Sequence, residues 1–174
     1  TARLLDAGFQ LALTSGIQAA DDEWRSILIT TGQDAQFRTT QDSFSGMAVP
    51  DYMLRGRDNP GSILRMLENA RTNARAVRTA LTREVWEATN ETWLSIRDML
   101  ARPVTERNLG EVLAFTRNQA ALVRGAMEVT MLRNEIYNFA RLGTFLERAD
   151  NTARTLDVKY YFLLPSISMV GSDL

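Results

Sequence analysis

One helix type is written into this chain more than once, and that repetition constrains the fold more than any other feature. ERADNTARTLD, Glu147–Asp157, superposes on ENARTNARAVR, Glu68–Arg78, so that Glu147, Ala149, Ala153 and Arg154 fall on Glu68, Ala70, Ala74 and Arg75. The apolar pattern extends the match. Leu142, Phe145, Leu146, Ala149, Ala153 and Leu156 correspond to Ile63, Met66, Leu67, Ala70, Ala74 and Val77. At the amino end TARLLD repeats TARTLD of Thr152–Asp157, with Ala2, Arg3 and Leu5 in the places of Ala153, Arg154 and Leu156. Apolar residues at three- and four-residue steps belong to a helix, and a repeated helix implies a bundle, entered here late in its first copy.

The same period organises the rest of the chain. Thr1 to about Ala20 reads as one helix, with Trp24, Ile27 and Leu28 in a short continuation. Residues 30–62 are polar and rich in turn formers, and predict mostly loop with one short helix. Asn59 as cap and Pro60 as first helical residue open a helix running to about Leu81. Thr82 caps a third, which passes through Trp86, Trp93 and Ile96 to about Ala101 and is closed by Pro103. A helix from about Leu109 meets a break at Gly125, and a long periodic segment runs from Met127 to Leu164 before Pro165 and Gly171. No strand pattern competes. The expected fold is all-α, one helical domain over 1–174, a bundle of long helices with one irregular loop excursion.

Composition removes whole classes of chemistry. The 174 residues include no cysteine and no histidine, so disulfides, thiol nucleophiles, imidazole bases and the usual zinc and iron ligands are absent together. No metal and no cofactor is expected. A formal charge of −1 carries no electrostatic footprint for nucleic acid or an anionic membrane. No apolar run approaches the roughly 20 residues that span a bilayer, and absence of cysteine fits a cytoplasmic location.

At about 100° per residue, Glu147, Asn151 and Arg154 share the face opposite the apolar stripe. That face continues through Ala140 and Gly143, so it too is built to pack. Glu68, Thr72 and Arg75 form the corresponding trio. Carboxylates and guanidiniums repeated on neighbouring helices can form an ion-pair lattice that sets register. Arginines left without full internal partners would instead form an anion site, because the guanidinium fork suits carboxylate and phosphate. The two alternatives predict different structures.

Weaker candidates have plainer explanations. Glu84, Glu87 and Glu91 share a face, but carboxylate di-metal bundles pair glutamate with histidine, and a solvated acidic face suffices. RGRDNPGS, Arg55–Ser62, lacks the lysine and glycine spacing of a phosphate loop. Trp24, Trp86 and Trp93 suit helix-interface anchors.

FARLGTFLERADNTARTLDVKYYFLL, preceded by GAMEVTMLRNEIYNF, together with NPGSILRMLENARTNARAVRTALTREVWEATNETW, resembles the bacterial alpha-E proteins, a helical family named for its Glu-Arg motif. The likeness covers nearly the whole chain. Glu147 and Arg148 match the Glu-Arg pair; Glu68, Asn73 and Arg75 match the second signature, in which Asn69 stands where Arg148 would. Family members normally begin earlier and continue further, so the resemblance implies an incomplete member. It also implies a genomic setting beside circularly permuted ATP-grasp ligase-like and transglutaminase-like proteins, and hence a role in making or modifying peptide or amide bonds.

The expected function is therefore an accessory helical protein that binds the ligase-like partner or its peptide substrate through an interior site lined by Arg3, Glu68, Asn73, Arg75, Glu147, Arg148, Asn151 and Arg154. The rivals are an enzyme of amide modification using the same stripe, with only carboxylates, arginines, hydroxyls and tyrosines on offer, and a purely structural scaffold. Catalytic residues are not assigned, and homo-oligomerisation is left open.

Overall fold

The computed structural model describes the backbone of residues 2–14, 17–40, 44 and 46–163, and within these the side chains of all but 11–14, 17–22, 155 and 157–163. The elements are α1 (Ala2–Thr14), α2 (Ile17–Thr30), α3 (Asp34–Thr40), α4 (Ala48–Arg55), α5 (Ile63–Ala76), α6 (Arg83–Met99), α7 (Glu106–Thr130) and α8 (Glu135–Leu163), with a 3₁₀ turn at Arg78–Ala80. The described residues contain no strand, and the protein is all-α. The expected ends at Pro165 and Gly171 lie outside the described residues.

The amino-terminal helix expected to run to about Ala20 is two helices, α1 and α2, packed against each other. Apolar residues recur on both sides of this junction, so period alone does not separate the two helices. At this contact the Ile27 side chain lies over Gly8, and a Cβ there would require its Cδ1 to move. Leu5, Trp24 and Leu28 are buried at this contact and continue into the main core.

Residues 30–62 are more helical, and more central, than their composition implies. Gly32 turns the chain out of α2 with φ +70°, a conformation that favours glycine. Beyond it α3 and α4 place Phe37, Val49, Met53 and Leu54 fully inside. Val49, Tyr52 and Met53 follow the helical i, i+3, i+4 pattern, but over too short a span to stand out among the surrounding polar residues. The Phe37 ring stacks on Phe44 at 5.3 Å and meets Tyr52 edge-on at 5.1 Å.

The expected cap at Asn59 is displaced to Ser62, whose hydroxyl accepts from the Arg65 N–H. Asn59 is instead buried in the preceding turn. Its Nδ2 donates to Gln33 Oε1 at 2.6 Å and to the Tyr52 carbonyl at 3.3 Å, while its Oδ1 accepts from the Gly61 N–H at 2.9 Å. These tertiary partners satisfy the amide more fully than one cap bond would.

Thr82 does cap α6, accepting from the Val85 N–H, and its hydroxyl also meets that of Thr130 at 2.7 Å. The α6–α7 hairpin supplies Ile96, Leu100, Leu109, Val112 and Leu113 to the core. Asn108 fastens the start of α7 by accepting from the Thr105 N–H at 2.7 Å. The expected break at Gly125 does not occur. α7 continues to Thr130, and the interruption falls at Met131, extended and buried, followed by Asn134, whose Oδ1 accepts from the Tyr137 N–H as the cap of α8. Met131 and Tyr137 close a small second core with Val85.

α8 lies against α2. Between Asn138 and Asn151 its half-buried side chains are Ala140, Arg141, Thr144 and Asn151. The stripe expected to form its core, Leu142, Phe145, Leu146, Ala149, Ala153 and Leu156, is exposed instead. The copy in α5 is only partly inserted, with Ile63 buried and Met66 and Val77 exposed.

Candidate functional site

The repeated polar residues sit on α8 and α5 as the 100° step places them, but their partners are local. Glu147 Oε1 accepts from Asn151 Nδ2 one turn away, and Arg154 Nε donates to Asp150 Oδ2 at 2.8 Å. The hydrogen bond and charge of Asp150 raise the Arg154 pKa further above its already high value. On α5, Glu68 pairs with Arg65 at 2.6 Å, again within one helix.

The expected lattice between these helices is absent from the described residues. No ion pair joins any two of α1, α5 and α8 there. The physical reason is the packing order: α5 is seated against α4 and α6, whereas α8 is seated against α2. The stripe is also not interior as expected. Arg3, Glu147, Arg148, Arg154, Asn73 and Arg75 are exposed; Glu68 and Asn151 are half-buried. The trio on α8 nonetheless borders the helix contact, because Asn151 is half-buried and Arg154 Nη1 lies 3.2 Å from where a Gly32 Cβ would stand.

The arginines fall into two groups. Arg154 is engaged by a carboxylate, whereas Arg3, Arg75 and Arg148 carry no ion pair among the described residues, Arg148 lying 6.0 Å from the Phe145 ring centre. Arg75 occupies the last turn of α5, where the helix dipole favours a cation. Such exposed, unspent guanidiniums are available to an anion or a carboxylate-bearing partner.

Sequence periodicity missed two better-built clusters. Glu128, near the end of α7, accepts from the Tyr137 hydroxyl at 2.6 Å, from Arg133 at 3.0 Å and from Arg141. Its partners lie across the α7–α8 break, where no helical spacing links them. Arg71 donates to Asn90 at 2.7 Å and lies 4.5 Å from the Trp93 ring centre, which Arg97 also approaches at 4.8 Å. Both arginine stacks support Trp93 as an interface anchor, beside Trp24 in the core and Trp86 under Arg78.

Glu84, Glu87 and Glu91 are exposed, and the described residues contain no acidic grouping suited to a metal ion. The Arg55–Ser62 segment forms a turn. Arg57 and Asp58 line a cleft of about 310 Å³ together with Thr40, Ala48, Asp51, Tyr52 and Gly56. The Tyr52 hydroxyl is buried without a hydrogen-bond partner among the described residues. Burial first, and then the charge of Asp58, raise its pKa above 10.0, so the phenol stays protonated and is not a ready nucleophile. No helix among the described residues is long and apolar enough to cross a membrane.

Residues 1–173 match a family described as a predicted alpha-helical domain with a conserved ER motif. No curated protein and no solved structure matches the chain. The dipeptide Glu-Arg stands at Glu106-Arg107, in the first turn of α7, and at Glu147-Arg148, in the repeated helix. Helical architecture, the repeated Glu/Arg helix and a match over almost the entire length agree: the chain belongs to the Alpha-E family.

Proposed function

We propose that this protein is an accessory component of a peptide- or amide-bond-forming system, and that its Glu/Arg stripe binds an ATP-grasp ligase-like partner or that partner's peptide substrate. The observation that carries this reading is the exposure of Arg75 and Arg148 without ion-pair partners among the described residues. A scaffold built on a charge lattice would consume these cations. A surface that recognises carboxylates, whether on a partner protein or at a peptide terminus, keeps them available. The stripe acts from the surfaces of α5 and α8, and on α8 it borders the contact with α2. A cytoplasmic site of action and a transglutaminase-like second partner belong to the same proposal.

The test is co-purification with an ATP-grasp ligase-like protein from the same organism. Wild type is expected to retain the partner, and the Arg75→Gln/Arg148→Gln double variant to weaken it at least tenfold, with an unchanged melting temperature. Equal retention by both proteins would remove the stripe from the binding surface.

A further inference from the structure

The outward face of α8 is a second surface, which meets the Glu/Arg stripe at Arg148. Phe139, Leu142, Phe145, Leu146 and Leu156 lie within one stripe, at three- and four-residue steps apart from the last. All are exposed, Phe139 to 71%, Leu146 to 61% and Leu156 to 63%. Ala149 and Ala153 continue the stripe between them without projecting from it. Large contiguous apolar strips facing water mark interaction sites more often than ordinary surface. It lies roughly opposite the side on which Ala140, Thr144 and Asn151 are half-buried, so no element of the described chain covers it.

Charge along one edge says what kind of partner fits. Arg141 and Arg148, seven positions apart, flank the stripe on the same side, with Phe145 between them. Their guanidinium carbons lie 4.9 and 6.0 Å from its ring centre. Arg133 extends the row past Tyr137 at 4.2 Å. Among the described residues Glu128 is the carboxylate that meets this row, and it serves both Arg133 and Arg141. The edge therefore keeps an excess of positive charge. A second copy of α8 laid antiparallel would set this edge against itself, opposing arginine with arginine.

We infer that the outward face of α8 docks an amphipathic helix of another protein, which lays its own apolar stripe on Leu142, Phe145 and Leu146 and sets carboxylates against Arg141 and Arg148. Helix-on-helix recognition needs anchors at i, i+3, i+4 and i+7, and Leu142, Phe145, Leu146 and Ala149 have that spacing, with Phe139 three residues before them. The arginines add orientation and partner choice more than affinity. This surface shares Arg148 with the Glu/Arg stripe, but its anchors Leu142, Phe145 and Leu146 take no part in that reading, so the leucine double variant tests it separately.

Two labelled synthetic helices test it by fluorescence anisotropy. Each carries the same leucine stripe; one is flanked by glutamates, the other by lysines. The glutamate helix is expected to bind at least tenfold more tightly. Leu142→Asp/Leu146→Asp should abolish binding with the melting temperature held within about 2 °C, and Arg148→Glu should narrow or reverse the preference between the two helices. Failure of the glutamate helix to bind, or equal binding of the lysine helix, overturns the inference. So does a large fall in melting temperature in the double variant, which would place these leucines inside the fold. Light scattering on the protein alone completes the test: a dimer that the double variant converts to monomer would assign the face to a second copy and sink the proposal.

Discussion

The carboxylate of Asp6 on α1 accepts a hydrogen bond from the guanidinium of Arg117 on α7, 111 residues away in sequence. Both side chains are about one-third exposed, so the pair is neither a free surface contact nor a buried one. It joins two helices that already pack against each other. In a double-mutant cycle with Asp6→Asn and Arg117→Gln, the coupling energy read from denaturant melts is expected near 0.5–1 kcal/mol, falling with added salt. A coupling indistinguishable from zero at low salt would show the contact to be incidental.

Glu147→Gln is expected to be almost silent in stability, within about 0.5 kcal/mol, because its carboxylate is exposed and, among the described residues, bonded within its own helix. Removing half of a buried pair would instead cost about 3–5 kcal/mol. Thermal melts therefore separate the observed arrangement from the charge lattice that the repeat suggests. Arg154→Gln should likewise leave the melting temperature unchanged.

Glu128 is the more consequential carboxylate. Glu128→Gln weakens two contacts that tie α8 to α7 and one to Arg133 in the turn between them, and leaves Arg133 and Arg141 without that carboxylate. With the group partly exposed, the expected loss is about 1–2 kcal/mol. Hydrogen exchange should show it first as lost protection in the opening turns of α8. Uniform loss across all helices, or none, would contradict that role.

Tyr52→Phe removes a buried hydroxyl that has no partner among the described residues, and should stabilise the protein by up to about 1 kcal/mol at neutral pH. Alkaline titration supplies a second readout. Because the folded-state pKa of Tyr52 lies above 10.0, the folded protein holds this proton more tightly than the unfolded chain does. Stability is unaffected by the group below about pH 10 and falls as pH rises from there through the folded-state pKa. The Phe variant should lose less stability than wild type over that range, and parallel pH profiles would refute the assignment.

Much of the architecture was determined locally and could be read from the sequence. Thr82 caps a helix wherever a following N–H can reach its hydroxyl, and the three- and four-residue steps through Val85, Ala88, Thr92 and Ile96 mark the buried side of α6. The all-α class and the Glu/Arg spacing on α5 and α8 follow from the same 3.6-residue period. Other features depended on what each element meets in space. Asn59 has the chemistry of a cap, but Gln33 and Tyr52 engage its amide, and Ser62 starts α5. Gly125 is intrinsically the weaker point of α7, yet the chain breaks where Met131 can enter a core with Val85 and Tyr137. The largest departure concerns the repeat itself. Identical patterns in α5 and α8 predict identical burial, but periodicity specifies only that a helix has an apolar side, and neighbours decide whether that side is covered. α4 and α6 are the neighbours of α5, whereas α8 meets α2 and leaves Leu142, Phe145 and Leu146 facing outward. Its Glu147 and Arg154 could be placed on one face from sequence; their exposure, and their local bonds to Asn151 and Asp150, were decided by tertiary packing alone.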